Sequence, residues 1–521
     1  MEYEIRFYYP IEEYKNKLSD LKKIKSLKFL GRKYEITSQF NHPAKEFDFY
    51  TKKIDGRFRI RKTEDKNNSK CMLSWKRRLN DTASGKVNKE EEVELTIKPE
   101  EYDNLIFIVK EVLHMKEVET YERYRTVFSN KEVEIVLDEY PFGLALEIEA
   151  KTKSNQEKVV DKYVKLLNLN YEDSYRLSWD DKYEELCNEQ GIKKHNIVLF
   201  NKDMPRVKSS REKNLDTIKY VVDNSKYVKI NEKKIKEFTK EIDASEWTHW
   251  YHQTNLKLTE KEWILLSFIL ESINFCFWQK PKIETDYNGN TYTGSNGLFF
   301  AIVKAVEEKR FILKEDKLKN MTKSEFKEIF KPYRGEIPYL DKRYENFKEV
   351  INVFNEKDVY KELFNIKSDL ELLKYITVNF KSFDDQSTYD DKIIYFNKRA
   401  NLLVSDLYSM SPAIRKNIKS IDNILGCADY GIPRLFREYG ILEYTKELDE
   451  KIEKEEEIPH NSKMEIEIRA NMLYSIELLK EEFKKNNVII NSIKLDNLIW
   501  SMYKSNVKTR KKSHHTVTIY Y

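Results

Sequence analysis

Toward the end of the chain, five ionisable residues sit in segments apolar enough to be core. Lys398 and Asp406 lie in YFNKRANLLVSD, Asp429 in CADYGIPRLFREYGILEY, Arg469 in EIEIRA and Asp496 in LDNLIW. Burying an unpaired charge costs several kcal/mol, comparable with a domain's whole stability. These groups must therefore pair with one another or face a cavity that takes up something polar. A lysine, several aspartates and aromatic walls suit an ionic, flat, ring-bearing ligand, and N-glycosidic cleavage needs such a set. The reaction passes through a cationic sugar, so one carboxylate beside C1′ stabilises or captures it, a second group assists the departing base, and aromatic rings hold that base.

The spacing supports this assignment. Asp429 and Tyr430 precede the tight turn Gly431-Ile432-Pro433, where a carboxylate projects into a cleft. Lys398 and Asp406 are eight residues apart, a little over two helical turns, and share a helix face. In SINFCFW, Asn274 offers an amide and Phe277 and Trp278 offer stacking surfaces, although a lone tryptophan serves a core equally well. Asp496 and Trp500 form an i, i+4 pair, and His514 and His515 stand in a basic stretch pinned by the strand-like TVTIYY.

The elements that must position these groups read as two halves. Up to about residue 150 the pattern has a period of two. Glu2 and Glu4 alternate with Tyr3 and Ile5, Arg57, Arg59 and Arg61 with Phe58 and Ile60, and Glu147 and Glu149 flank Ile148, giving strands with one apolar and one charged face. Helical stretches are expected near 11–28, 99–115 and 154–167, and another runs to about Cys187. An irregular segment, 188–207, reads as a linker between domains at 1–187 and 208–521. Beyond it the signal is mainly helical. Ile468, Met472, Ile476, Leu479 and Phe483 define one buried face, as do Ala400, Leu403, Val404 and Leu407. Ile421–Tyr444 reads as helix, tight turn, helix, with Pro433 in the first turn of the second and Gly440 as its stop. Short strands are expected around 284–292 and 392–396.

In the first half the charge signs sort by strand. Acidic rows (Glu2/Glu4, Glu92/Glu94, Glu147/Glu149) accompany basic rows (Arg57/Arg59/Arg61, Lys76/Arg78, Arg123/Arg125). One reading is an antiparallel sheet with a wet side. The other is a barrel closed around its charges, a polar tunnel in which arginines hold phosphates and clustered glutamates hold a divalent cation.

Composition bounds the rest. The 521 residues are long enough for several domains, and 40% apolar and 13% aromatic content marks globular material. A net charge of +5 sets up no global field for nucleic acid, so no stable nucleic-acid partner is expected. The cysteines, Cys71, Cys187, Cys276 and Cys427, match no metal-ligand spacing and read as reduced thiols. The opening MEYEIRFYYP is not a signal peptide, and the longest apolar run, Trp263–Leu270, falls far short of the roughly 20 residues that span a bilayer. A cytoplasmic protein without membrane contact is expected.

Two family resemblances sharpen this picture. The ordered motifs EYEIR, RFRIRK, SWKRR, EEEVEL, YERYR and LDEYPFGLALEIEA, over roughly 1–187, resemble CYTH domains, the triphosphate tunnel metalloenzymes. The resemblance implies an eight-stranded α+β antiparallel barrel. It implies Mg²⁺ or Mn²⁺ on Glu2, Glu4, Glu147 and Glu149, with Asp138 beside them, and a triphosphate on Arg57, Arg59, Lys76, Arg123 and Arg125. Arg6 departs from the family's usual lysine. Cyclase, triphosphatase and binding-only roles remain open. The run INFCFW, YTGSNGL, EIPYLDKRYENFKEV, NFKSFDD, FNKRANLLVSDL, CADYGIPRLFREYGILEY, EIEIRA, LDNLIW and HHTVTIYY, over roughly 209–521, resembles the queuosine salvage family. That resemblance implies a largely helical domain similar to helix-hairpin-helix DNA glycosylases, which releases queuine from queuosine 5′-phosphate without a cofactor. The implied catalytic residues are Lys398, Asp429 and Asp496. Asn274, Phe277, Trp278, Asp406, Tyr430, Arg469 and His514 would bind the nucleotide. Ser295 and Asn296 stand where aromatic residues are expected, and Ser501 where an acid is common. The rival readings are a tRNA-binding or processing protein and a nucleotide-signalling enzyme driven by the first domain.

Overall fold

The computed structural model describes all residues except 1–2, 50, 52–53, 55, 66–67, 79–89, 153, 245–248, 331–333, 335–336 and 506–509. The chain divides into two compact units, Met1–Ser209 and Ser210–Tyr521.

The first unit is built on the alternation read from the sequence. Its strands are β1 (Tyr3–Tyr9), β2 (Lys28–Asn41), β3 (Gly56–Glu64), β4 (Ser69–Arg78), β5 (Glu90–Ile97), β6 (Lys116–Ser129), β7 (Val133–Tyr140), β8 (Gly143–Ala150) and the short β9 (Ile197–Val198). The first eight form one antiparallel path in the order β1-β8-β7-β6-β2-β3-β4-β5, and β9 adds in parallel to β6. Phe7, Phe128, Ile135, Leu137, Leu144, Leu146 and Ile148 turn one face into a core against Val160, Tyr163 and Val164 of the Gln156–Leu166 helix. The registers set unlike charges on neighbouring strands side by side: Arg6 opposite Glu147, Arg125 opposite Asp138, Lys76 opposite Glu92.

Among the described residues no ladder joins β1 to β5, and residues 1–2 and 79–89, which adjoin those strands, lie outside the description. One expectation for this unit needs correction: residues 188–207 are not a free linker. Ile197–Val198 pairs with β6, the Val207 amide donates to the Phe142 carbonyl at 2.7 Å, and Val198 and Val207 bury themselves against Tyr121, Tyr140 and Trp179. Apolar residues at 198 and 207 make docking cheaper than exposure.

The second unit is mainly helical, with three two-stranded ladders, Val228–Ile230 on Leu442–Tyr444, Glu284–Tyr287 on Asn290–Thr293 and Gln386–Tyr389 on Lys392–Tyr395. Its apolar residues form two large clusters. One gathers the Glu260–Ser272, Ser295–Glu307, Leu340–Glu356 and Lys398–Met410 helices; the other gathers the Ser210–Asn224, Gly431–Glu438, Lys463–Lys485 and Ser492–Ser505 helices. The chain crosses between them repeatedly, twice at the segments that carry Lys398 and Asp429. Phe396 belongs to one cluster and Ala400 to the other, and Cys427 and Ala428 are divided in the same way. The expected helix faces are buried as read, including Ile468, Met472, Ile476 and Leu479.

The helix-turn-helix expected at Ile421–Tyr444 is half right. A helix spans Gly431–Glu438, with Pro433 in its first turn and Gly440 at φ +70° just beyond. Before it, residues 418–430 contain no helix, because side-chain carboxylates take the amides a helix would use: Asp369 accepts from Asn423 N at 2.8 Å and Asp496 from Cys427 N at 2.8 Å.

Arg343 holds the loop after the Glu260–Ser272 helix, where Cys276 has φ +48°. Its guanidinium donates to the carbonyls of Pro338, Ile273, Phe275 and Cys276 and lies 4.4 Å from the Phe275 ring centroid. Arg343→Ala strands those carbonyls, and urea unfolding should show a loss of about 3 kcal/mol or more, whereas a loss under about 1 kcal/mol would make the arginine dispensable.

Candidate active site

The polar groups of the second unit converge where the two apolar clusters meet. Asp385 organises one side. Its carbonyl accepts from Phe396 N (2.9 Å) and Asn397 N (3.1 Å), and its Oδ2 accepts from Lys398 N (3.2 Å), which starts the Lys398–Met410 helix. Arg469 grips the same carboxylate through Nη1 (3.0 Å) and Nη2 (2.5 Å) and reaches Glu465 at 3.3 Å. Its Nε donates to the Ala428 carbonyl at 3.2 Å, one residue before Asp429. The guanidinium lies 4.0 Å from the Phe396 ring and 4.3 Å from that of Tyr521.

Asp429 caps the helix that follows it: Oδ1 accepts from Gly431 N (2.8 Å) and Ile432 N (3.1 Å). Gly431 is required by a close approach, since a Cβ there would lie 2.4 Å from Trp500 and 2.8 Å from Tyr503. Across the seam, Asp496 projects from the Ser492–Ser505 helix to accept from Cys427 N, packed against Gly426. Burial raises the Asp429 carboxyl above the usual range, opposed by Lys398 and the two amides. Asp496 is driven up much further, by burial and then by the charge of Asp429, against the Cys427 amide and Lys398. The two carboxyls thus differ in their surroundings: Asp496 is raised by burial and by the charge of Asp429, while Asp429 has two amides and the Lys398 side chain that favour its anion.

Glu271 completes the group and escaped the sequence reading. Burial and then Asp406 push its carboxyl up to about 8, against Lys398, Asn274 and Arg399. Asn274 Nδ2 donates to Glu271 Oε2 at 2.9 Å, and His249 Nε2 stands 2.9 Å from Asp406 Oδ1, both buried. The signal that singled out Asp406 applies equally to Glu271, which ends the apolar segment WILLSFILES; His249 and Asp385 carry no such pattern.

Lys398, Asp429 and Asp496 therefore share one electrostatic cluster with Asp406 and Asn274, and Tyr430 adjoins it at the start of the Gly431–Glu438 helix. Three expected nucleotide-binding residues make contacts with the scaffold. Arg469 is wholly buried with its donors spent on Asp385, Glu465 and Ala428. His514 Nε2 pairs with Tyr521 Oη at 3.3 Å, and burial first of all pushes its imidazole down to about 3, so it stays neutral. Trp278 stacks on His515 at 4.3 Å and donates to the Thr516 carbonyl, which takes one of its faces. Phe277 is buried with Arg343 4.7 Å from its ring.

In the first unit the acidic and basic rows meet as ion pairs. Arg6 Nε lies 2.5 Å from Glu147 and its Nη2 3.3 Å from Glu4. Arg125 binds both oxygens of Asp138 (2.7 and 2.5 Å) and reaches Glu147 at 3.4 Å, while Arg123 bridges Glu35 and Asp138. Lys76 pairs with Glu92 at 2.9 Å, and Arg57 and Arg59 lie on β3. Glu149 sits opposite Glu4; Glu2 lies outside the described residues. Among the described residues no group of three or more His, Cys, Asp or Glu is placed to hold a metal ion. Of the four carboxylates expected to hold a metal, Glu2, Glu4, Glu147 and Glu149, Glu2 is not described, and Glu4 and Glu147 are engaged by Arg6.

These observations define a two-unit chain, an antiparallel sheet with a charged face and a helical unit with a buried carboxyl–lysine cluster. Residues 251–521 match the family described as "Queuosine salvage protein", and the chain belongs to that family. Its relatives include the queuosine 5′-phosphate N-glycosylase/hydrolase of Sphaerobacter thermophilus, 28% identical over 317 residues that cover 59% of this chain and 97% of that one. Proteins of the same name from Bos taurus (28% identical, 52% of this chain and 85% of that one) and Dictyostelium discoideum (28%, 59% and 98%) are similar. Among solved structures, the PH1819 protein from Pyrococcus horikoshii OT3 aligns at 25% identity with a TM-score of 0.28, over 36% of this chain and 99% of that one.

Glu271 gives the second unit a pH signature. Its folded carboxyl titrates near 8 against an ordinary 4.5, so below about 4.5 both states are protonated and its stabilising effect is complete. As pH rises from there to about 8, the unfolded chain releases the proton first and this contribution is lost. Urea unfolding of Glu271→Gln between pH 5 and 8 should fall less steeply with pH than the wild type; parallel curves would place the titration elsewhere.

Proposed function

We propose that the second unit hydrolyses the N-glycosidic bond of queuosine 5′-phosphate, giving free queuine and ribose phosphate. The observation that carries this reading is the pair of buried carboxyls around Lys398, Asp429 accepting from two backbone amides and Asp496 driven further up by burial and by the charge of Asp429. As the bond between C1′ and the base nitrogen breaks, its electron pair leaves with the base and positive charge grows on the sugar. The Asp429 carboxylate, fixed by two amides, faces that charge. Asp496 supplies a proton toward the departing side, and water adds to C1′ and gives up a proton in turn, so the sum is hydrolysis. Lys398 favours the anion of Asp429 against its burial. Family membership and the names of the relatives support this substrate.

For the first unit we read the rows Arg57/Arg59/Arg61 and Arg123/Arg125 as a site for a polyphosphate. The supporting observation is Tyr121, buried on β6, whose phenol would be raised by burial yet is pulled down to about 8 by Arg61, Arg59 and Arg123.

The test incubates the full chain with queuosine 5′-phosphate and separates the products by chromatography. Queuine should appear with wild type. Asp429→Asn should lower kcat by about 10²–10³-fold, the range for losing one preorganised electrostatic group, while still binding the nucleotide. Wild-type turnover in a folded Asp429→Asn protein would move the charge-stabilising role to another residue.

A further inference from the structure

The Ser492–Ser505 helix carries Asp496, Trp500 and Lys504 four residues apart, so the three lie along one stripe of its surface. Asp496 accepts from the Cys427 amide at the lower end. Trp500 packs so closely on Gly431 that a Cβ there would lie 2.4 Å from its ring, and Gly431 N donates to Asp429 Oδ1 at 2.8 Å. Lys504 follows one turn further on. Helical side chains lean toward the helix N-terminus, and the Lys504 ammonium does so, lying 5.1 Å from the centroid of the Trp500 ring. The stripe thus covers about 12 Å of helix axis, from a buried carboxyl to an ammonium at the rim.

A second ammonium reaches that rim from elsewhere in the unit. Lys282 stands just before the Glu284–Tyr287 strand, on the segment that follows Phe277, whose amide meets the Tyr430 hydroxyl beside Asp429. Both lysines are exposed, and among the described residues neither forms an ion pair with a carboxylate. They act on one another instead: loss of solvent around its tip and then the charge of Lys282 pull the Lys504 ammonium down to about 8, against Asp429. Two like charges held close without a counter-ion gain from an anion placed between them.

We propose that Lys504 and Lys282 bind the 5′-phosphate of the nucleotide whose glycosidic bond breaks beside Asp429. The assignment deepens the reading of the second unit as a nucleotide hydrolase and rests on it. A phosphate monoester carries a charge of about −1.5 to −2 at neutral pH, which two ammonium groups neutralise as point charges. The order of groups along the helix then sets the orientation of the substrate. The phosphate meets Lys504, the sugar lies along Trp500 with C1′ toward Asp429, and the base points toward Asp496. The lysines thereby supply binding energy away from the bond that breaks and fix C1′ against the carboxylate. A role confined to tuning Asp429 explains less, since Lys398 and the two amides all act on that carboxyl more strongly than Lys504 does. It also gives Lys282 no task.

Two measurements on the full chain test this. The first compares kcat/KM for queuine release from queuosine 5′-phosphate and from queuosine, which lacks the phosphate. Lys504→Met and Lys282→Met should each cut the preference for the phosphorylated substrate by tenfold or more, chiefly through KM, and Lys504→Arg should keep it within about threefold of wild type. The second is calorimetry with ribose 5-phosphate, whose affinity should fall tenfold or more in Lys504→Met. An unchanged preference, or an equal loss on both substrates, overturns the phosphate site and leaves the hydrolase reading standing. A wild type that releases no queuine, yet binds ribose 5-phosphate in a manner that depends on Lys504, overturns the substrate and keeps the phosphate site. Neither release nor binding by wild type overturns both.

Discussion

The buried pair of Asp385 and Arg469 is the constraint on which the candidate site depends. Asp385 ties down the backbone at 396–398 with its carbonyl and its carboxylate, and Arg469 ties down Ala428 while gripping Asp385 with two nitrogens. Lys398 and Asp429, 31 residues apart in the chain, are thereby fixed to a single rigid element. Such a pair need not add net stability, since desolvation offsets much of the attraction, but removing one partner strands the other at a cost of about 3–5 kcal/mol. The aromatic rings of Phe396 and Tyr521 packed on the wholly buried Arg469 exclude the water that would loosen it.

What this clamp positions is a set of buried carboxyls, all raised by burial, with unequal partners. Asp429 lies against helix amides and near Lys398, Asp496 accepts from the Cys427 amide and faces Asp429, and Glu271 accepts from an asparagine side chain while it faces Asp406. The differences arise from donors supplied by backbone turns, so they depend on the loop 425–431 keeping its path. Gly426 and Gly431 serve that path, because a side chain at either would meet Asp496 or Trp500. The seam between two apolar clusters gives the low-polarity surroundings in which such differences become large.

Much of this was readable in the sequence because burial periodicity is a local property. The charged alternation predicted β1, β3, β6 and β8, and the spacing of Ile468, Met472, Ile476 and Leu479 predicted a buried helix face. Charges in apolar segments pointed to Lys398, Asp429 and Asp496. The same cue could not tell a reacting group from a clamp: Arg469 and Asp429 look alike until Asp385, 84 residues before Arg469, appears as its partner. The false helix at 421–430 has a similar origin, since Ile421, Ile424 and Leu425 carry helical spacing while Asp369 and Asp496 take the amides from far along the chain. In the first unit the sign of each row was legible, but whether glutamates gather around a cation or pair with Arg6, Arg123 and Arg125 is set by strand register, which the sequence does not print.

The account stands on the claim that Asp385 and Arg469 hold Lys398 and Asp429 in a geometry that cleaves a nucleotide. Steady-state release of queuine from queuosine 5′-phosphate by wild type and by Asp385→Asn measures it most directly. The account predicts turnover by wild type, and in the folded variant a kcat reduced by about tenfold or more with KM little changed, as expected when reacting groups lose alignment and ground-state binding is kept. A folded Asp385→Asn protein with wild-type kcat, or a wild type that releases no queuine, would contradict it.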